Sequence, residues 1–194
     1  MIKKLIITIL LFVSSIYANS TNKIKYLDEK EMDYTNFRPF IGIDASATYI
    51  DTTHALDKSM LGYGLYIGMP IFSWEIIAKM KKDTTRDFHV ISKAISINMP
   101  IGGSGTDLTY VGIIGGKNKL TWRDHKITSL DIKDEILNND FYGIHIGQKY
   151  KFTRNFYVRI ELEYSKYDYL SKTSTSDIGA DDSIAFNYGF EYKF

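Results

Sequence analysis

The residues best suited to nucleophilic catalysis lie in one polar segment, where His54 is accompanied by Asp51, Asp57 and Ser59. A serine hydrolase needs a serine hydroxyl, a histidine base and a carboxylate that orients the histidine. The same residue types are the ordinary content of a polar loop, and the chain contains no G-x-S-x-G elbow and no phosphate-binding glycine loop. We therefore predict no catalytic residue and no enzymatic activity.

The sequence gives little reason to expect a bound metal ion or cofactor. The absence of cysteine excludes thiolate metal sites, disulfides and cysteine nucleophiles. Asp177, Asp181 and Asp182 carry oxygen ligands suited to Ca²⁺, but their spacing fits no EF-hand loop. A net charge of +1 without a basic stripe gives no reason to expect phosphate-backbone binding. We predict no metal, no cofactor and no nucleic-acid partner.

Charged residues recur at every second position between about 155 and 169. Arg159, Glu161 and Glu163 share one face of this segment, if it is extended. The other face is apolar, with Phe156, Val158, Ile160, Leu162 and Tyr164. This alternation is typical of a β-strand that has a polar face and an apolar face.

The same period returns along the chain from Phe37 onward. Eight strands are predicted, over about 37–50, 60–69, 73–82, 88–99, 107–118, 140–152, 155–169 and 182–194. In the fourth strand Lys93 falls on the apolar face, so a bulge or a strand end is expected there. The fifth strand is rich in glycine, and its pattern leaves open which residues face which side.

Short connections alternate with longer ones. The connections after the second, fourth and sixth strands are short, whereas two of the others, 119–139 and 170–181, are long and polar. Transmembrane barrels have short turns at the periplasmic end and longer loops outside. The sequence thus predicts an all-β fold, an eight-stranded antiparallel up-and-down transmembrane β-barrel over 37–194.

The orientation of the two faces distinguishes this barrel from a soluble one. A soluble barrel would bury its apolar face, as a periplasmic barrel that binds an apolar ligand would do. Small residues recur on the polar face, which suits a narrow interior: Gly42, Gly62, Gly64, Gly68, Gly143, Gly147, Ala185 and Gly189. We therefore predict apolar side chains outside and polar side chains inside, with the soluble barrel as an alternative.

The N-terminal segment has the order of a secretory signal peptide. Lys3 and Lys4 precede an apolar run from Leu5 to Val13, and small residues follow up to Ala18. The apolar run is shorter than the roughly 20 residues of a spanning helix. We predict a cleaved signal peptide over 1–18, a polar periplasmic segment over 19–36, and export to the outer membrane of a Gram-negative cell.

The last strand resembles the C-terminal signature of bacterial outer-membrane proteins, in which alternating aromatic residues close on phenylalanine. Residues 141–168 are similar to a hairpin of the small OmpA-type and OmpX-type barrels, and we expect a barrel of this type without a peptidoglycan-binding domain. The resemblance implies that the barrel-assembly machinery recognises the terminal strand. The implied assembly signal is Tyr188, Phe190, Tyr192 and Phe194.

An eight-stranded barrel has an interior that side chains can fill. We predict that an ion-pair network closes this lumen, because buried charges must be paired. Its predicted members are Arg38, Lys79, Lys149, Arg159 and Lys193, with Asp44, Glu75, Glu161, Glu163 and Glu191.

The expected function is that of a monomeric outer-membrane barrel with a structural or surface-interaction role through its extracellular loops. Its expected partners are outer-membrane lipid, lipopolysaccharide and, during biogenesis, the barrel-assembly machinery. The sequence also leaves open a narrow, porin-like solute channel and a lipid-modifying outer-membrane enzyme.

Overall fold

The computed structural model describes residues 38–52, 59–86, 88–103, 106–122, 136–168 and 180–194. The predicted signal peptide, the predicted periplasmic segment 19–36, His54 and Asp57 lie outside these ranges. No helix that is long and apolar enough to cross a membrane occurs among the described residues.

Eight antiparallel strands form the described part of the chain. They are β1 (Phe40–Thr52), β2 (Ser59–Ile71), β3 (Trp74–Thr84), β4 (Phe88–Gly103), β5 (Asp107–Trp122), β6 (Ile136–Lys151), β7 (Phe156–Asp168) and β8 (Ala180–Lys193). Each strand pairs with its neighbours in sequence, and β8 pairs with β1, so the sheet closes into an up-and-down barrel. The predicted fold class is confirmed.

The register of the strands determines how strongly they tilt. Stepping from each residue to its direct partner once around the barrel leads from Ile41 to Asp51, ten residues further along the same strand. The steps pass through Ile67, Ala78, Ile95, Gly115, Tyr142, Lys166 and Asp182. With about 3.3 Å per residue and about 4.8 Å between strands, this shear corresponds to a tilt of about 40°.

The two faces of the sheet have opposite chemistry, with the predicted orientation. On β2, Leu61, Leu65 and Ile67 point outward and are 60–74% exposed, whereas Tyr66 points inward and is 2% exposed. Strands β6, β7 and β8 likewise place aliphatic and aromatic side chains outside and polar side chains inside. The exterior is therefore mostly apolar between the two ends of the barrel, and the interior is mostly polar, although it also contains apolar side chains such as Phe40, Ile77 and Phe88.

Several strands are longer than predicted. Strand β3 continues to Thr84, and β5 and β6 extend into the predicted loop 119–139 as far as Trp122 and from Ile136. The inward pattern continues in these extensions, since Asp83, Leu120 and Asn139 are all buried. The prediction ended these strands where apolar outward residues gave way to polar ones, although the backbone pairing does not end there.

Strands β4 and β5 required corrections in detail. Lys93 faces outward without any register shift beside it, and the irregularity of this pair of strands lies at its other end, between Pro100 and Gly102. Lys93 thus lies neither at a bulge nor at an end of β4, and the next outward residue toward the loop end is Ile91. On β5 the inward residues include Tyr110 and Ile114, which settles the facing that the sequence left open.

Glycines on the inner face make room for large lumen side chains. A Cβ atom at Gly112 would lie 2.2 Å from Nε2 of His145 and 2.7 Å from Oδ1 of Asn98. At Gly147 it would lie 2.3 Å from the Tyr110 hydroxyl. These glycines are therefore part of the packing of the lumen. The polar face was the predicted place of Gly147, whereas Gly112 belongs to the strand whose facing the sequence left open.

We expect Gly112→Ala to lower the free energy of unfolding by about 1–3 kcal/mol, because the added methyl group overlaps two buried side chains. Gly115→Ala, on the same strand, is the matched control, since its Cβ would meet only the Phe141 carbonyl oxygen, at 3.6 Å. Urea unfolding of the detergent-refolded barrel measures both. Equal stabilities of the two variants would contradict this view of the lumen.

Candidate functional site

The lumen contains most of the buried charge of the described chain. Six carboxylates and four cationic groups are buried there: Asp44, Glu75, Asp83, Glu161, Glu163 and Glu191, with Lys79, Lys81, Lys149 and Arg159. All these residues lie on strands at inward positions. Because an isolated buried charge is costly, the geometry of their pairing determines whether the barrel is stable.

At the end of the lumen near the short turns, Lys149 joins three strands. Its ammonium nitrogen lies 2.6 Å from Oε2 of Glu75 on β3 and 2.8 Å from Oε2 of Glu191 on β8. It also lies 4.6 Å above the centre of the Phe40 ring. Lys193 approaches the same carboxylate of Glu75, at 3.9 Å. Lys149 on β6 therefore connects β6 with β3 and β8 across the lumen.

The middle of the lumen is filled by Arg159 and two tyrosines. The guanidinium forms an ion pair with Glu161, and its central carbon lies 5.3 Å from the Tyr66 ring and 5.2 Å from the Tyr110 ring. The Tyr110 hydroxyl donates a hydrogen bond to Oε2 of Glu161, at 3.0 Å. Tyr66 and Tyr110 are almost completely buried. A planar cation between aromatic rings packs tightly, which leaves little free cross-section at this level.

Polar side chains complete the middle level. Nε2 of His145 lies 2.7 Å from Oδ1 of Asn98 and 3.8 Å from Oε2 of Glu161. The amide of Asn187 donates to Oε1 of Glu161, at 3.3 Å. Glu161 therefore accepts contacts from several strands and is the most connected carboxylate of the lumen.

A second group of ion pairs lies toward the loop end. Lys79 contacts Asp44 at 3.0 Å and Glu163 at 3.9 Å, and Lys81 contacts Asp83 at 3.2 Å. Ser46 donates to the carboxylate of Asp83, at 2.6 Å. These contacts connect β1, β3 and β7 across the interior.

One small cavity lies beside this second group. Its lining includes Lys79, Lys81, Asn118, Phe141 and Glu163. The volume of the cavity that the centres of water molecules can occupy is about 20 Å³. A volume of roughly 10–15 Å³ by this measure holds one water molecule. The cavity is therefore of the size of one or two waters, too small for an organic solute.

The structure brings together nine of the ten residues predicted for the lumen network, with Lys193 at its edge. Arg38 lies elsewhere. Its guanidinium donates to the carbonyl oxygen of Phe194 and to Oδ1 of Asn155, at the turn end of the barrel. The residue precedes β1, which begins at Phe40, so it lies beyond the alternation from which its position was predicted.

Four prominent lumen residues were absent from the predicted network. Lys81 and Asp83 continue the inward series of β3. Lys81 lay on the polar face of the predicted strand 73–82 but was not included in the network, whereas Asp83 lay beyond the predicted end of the strand. Tyr66 and Tyr110 are uncharged, but each occupies the inward space left by glycines of neighbouring strands, Gly42 and Gly147. The sequence signal that could have identified Tyr66 and Tyr110 as lumen residues is a large aromatic residue among inward glycines.

The residues of the predicted assembly signal lie on the outer face of β8. Tyr188, Phe190, Tyr192 and Phe194 are 37–62% exposed. Their rings meet edge to face in pairs, with centroids 5.3 Å apart for Tyr188 and Phe190, and 5.5 Å apart for Tyr192 and Phe194. The terminal strand therefore presents an aromatic ladder outward.

Of the polar segment considered for catalysis, only Asp51 and Ser59 belong to the described residues, at the ends of β1 and β2. Within the described ranges no group of three or more His, Cys, Asp or Glu side chains is arranged to hold a metal ion. What the lumen arrangement provides is charge pairing between strands.

We expect Lys149→Met to lower the free energy of unfolding by about 3–5 kcal/mol, because it removes the cation shared by the buried Glu75 and Glu191 and leaves only Lys193, 3.9 Å from Glu75. Adding Glu75→Gln and Glu191→Gln should restore most of the loss. The control is Lys117→Met, since Lys117 and its partner Asp140 are 84% and 57% exposed and 3.9 Å apart. A loss no greater than in this control would contradict the pairing.

No protein-family model matches the chain, and no curated protein matches its sequence. Solved structures do match its fold. Neisserial surface protein A (NspA) superposes with a TM-score of 0.64 at 15% identity, over 80% of this chain and 97% of that one.

Two proteins of Pseudomonas aeruginosa are also similar in structure. For outer membrane protein H (OprH) the TM-score is 0.56 at 15% identity, over 81% of this chain and 99% of that one. For the N-terminal β-barrel domain of OprF it is 0.50 at 18% identity, over 81% and 100%. The chain thus has the fold of the small eight-stranded outer-membrane barrels.

Proposed function

We propose that the protein is a monomeric outer-membrane barrel whose lumen is plugged by charged side chains, and whose role is structural or surface-directed, through its loop end. The observation that carries the proposal is the combination of an apolar exterior with ion pairs across the interior. The proposal includes no catalytic activity.

The outer surface supports a position in lipid. Leucine, isoleucine, tyrosine and phenylalanine side chains cover the outward positions of most strands, and many of them are more than half exposed. A water-soluble monomer rarely exposes so large a continuous apolar surface. Lipid that surrounds the barrel removes this exposure without a partner protein. Outer-membrane lipid is accordingly the first proposed partner.

The lumen contacts support a plug. Lys149, Arg159 and Lys79 each connect opposite or non-adjacent strands at successive levels of the barrel. Tyr66 and Tyr110 fill the space around Arg159. An open pore would require these pairs to separate, which leaves buried charges uncompensated.

The distribution of connections supports a role at the cell surface. The connections of two and four residues that follow β2 and β6 lie at the same end as Arg38 and Phe194. At the opposite end lie the strand ends that the connections after β5 and β7 join, and in sequence these connections include most of the predicted loops 119–139 and 170–181. Loops on a rigid scaffold are the usual place for recognition. NspA, which shares the fold, is a surface protein by its name.

The first test is fractionation of cells that express a tagged full-length chain. We expect the protein in the outer membrane, with an electrophoretic mobility that changes when the detergent extract is boiled, because the closed sheet resists the detergent until it is heated. Release with the periplasm, without such a change in mobility, would overturn the proposal in favour of a soluble barrel.

Conductance distinguishes a plugged lumen from a narrow channel. In planar bilayers we expect no steady current for the unmodified barrel, and rare currents for Arg159→Gln, which removes the cation between the two tyrosines. Six buried carboxylates against four cations make such a current cation-selective. A steady current in the unmodified protein that Glu161→Gln alters would instead establish a channel.

The proposed role of the terminal strand in recognition by the barrel-assembly machinery has its own test. We expect Phe194→Ala to reduce the amount of heat-modifiable protein in the outer membrane severalfold, because it removes the last outward ring of the ladder. Phe152→Ala is the matched control, since Phe152 is also an exposed aromatic residue, 76% exposed, in the turn before β7. Equal levels of both variants would contradict the assignment.

A further inference from the structure

On the outer face of the barrel, lysines of three adjacent strands lie close together. Lys82 on β3, Lys93 on β4, and Lys117 and Lys119 on β5 all occupy outward positions. Lys93 is directly opposite Lys117, and Ile91 is opposite both Lys82 and Lys119. We call these four residues the lysine patch.

The lysine patch lies where the apolar surface ends. On β4 the outward residues on the turn side of Lys93 are Ile95, Ile97, Met99 and Ile101, and Ile91 is the next outward residue on its loop side. At a tilt of about 40°, the eight residue steps from Ile101 to Lys93 span roughly 20 Å, close to the ~25 Å apolar band of transmembrane barrels. The lysine ammonium groups therefore reach the boundary of the apolar layer on the loop side.

The patch has little compensating charge of its own. Lysines directly opposite each other on one face repel. Among the described carboxylates only that of Asp140 lies within 4 Å of a patch lysine, 3.9 Å from Lys117. Elsewhere at this end of the barrel, acidic residues are part of the outward charge: Asp182 on β8 is directly opposite Lys166 on β7 and Asp51 on β1. The lysine patch is therefore a local excess of positive charge on a lipid-facing surface.

We propose that the lysine patch binds the phosphate groups of phosphorylated lipid in the outer leaflet, with the acyl chains of that lipid packed on Ile95 and Met80 below it. The inference rests on the proposed position in the outer membrane and names the lipid that the barrel contacts there. An anion at the patch offsets the repulsion between Lys93 and Lys117. Ile95 and Met80 provide an apolar contact surface for the acyl chains of the lipid, and a free anion has no acyl chain to use it.

The test uses the full chain extracted from membranes in zwitterionic detergent. Native mass spectrometry measures binding of a bis-phosphorylated disaccharide lipid, of the same lipid without phosphates, and of inorganic phosphate. We expect the phosphorylated lipid to bind to the unmodified protein, and the dephosphorylated lipid to bind much more weakly. Inorganic phosphate at the same concentration should not displace the phosphorylated lipid.

Two variants with opposite expected effects locate the site. Lys93→Gln/Lys117→Gln should weaken binding of the phosphorylated lipid about thirtyfold, and Asp140→Asn should strengthen it severalfold, because it removes the competing carboxylate. Lys166→Gln is the matched control, as an outward lysine at the same end that has an acidic residue opposite it. It should change affinity less than twofold.

The outcomes separate this inference from the proposed function. Equal affinities of the unmodified protein and of the double variant, with Asp140→Asn also unchanged, would overturn the lysine patch as a lipid site. Displacement by inorganic phosphate would overturn it in favour of a free-anion site. Each sample is checked for its heat-dependent mobility, so loss of binding through misfolding is recognised. Fractionation decides the outer-membrane location independently of all these results.

Discussion

The interaction on which the rest of the structure depends is the pairing of Lys149 with Glu75 and Glu191. These residues belong to three different strands, and their charged groups meet only because the sheet is closed. Closure also gives each of the eight described strands a partner on both edges, so the paired backbone groups of these strands need no water. A polar interior and a closed sheet therefore require each other. An open sheet with the same sequence would expose its strand edges and separate its charges.

The tilt of the strands and the alternation of side chains connect the packing of the lumen with the composition of the outer surface. Tilted strands bring Arg159 between Tyr66 and Tyr110, which are separated widely in sequence. The inner glycines permit this packing, because a side chain at Gly42 or Gly147 would occupy the space of a tyrosine ring. Because side chains alternate along a strand, the two neighbours of each inward polar residue point outward. These outward neighbours are mostly apolar, and together they form the apolar surface.

Most of the fold could be predicted from period-2 alternation, because each strand of a barrel has two chemically distinct faces. The predicted lumen residues meet for the same reason. Arg38 does not, because it precedes the first paired residue, and Asp83 was missed because the outward pattern that defined the end of β3 became polar before the pairing ended. Register could not be predicted, since it depends on the whole closed sheet. The proximity of Lys93 and Lys117 was accordingly hidden until the strands were aligned.

The orientation of the two faces is the central claim, and spin labels in lipid test it most directly. The chain contains no cysteine, so single cysteines can carry labels at Leu65, Ile95 and Ile144, which point outward and are 61–63% exposed. After reconstitution in phospholipid vesicles, we expect collisions with dissolved oxygen to be frequent at all three positions, and collisions with a water-soluble nickel complex to be rare. Frequent collisions with the nickel complex at these positions would show that the apolar face does not meet lipid, and would contradict the account.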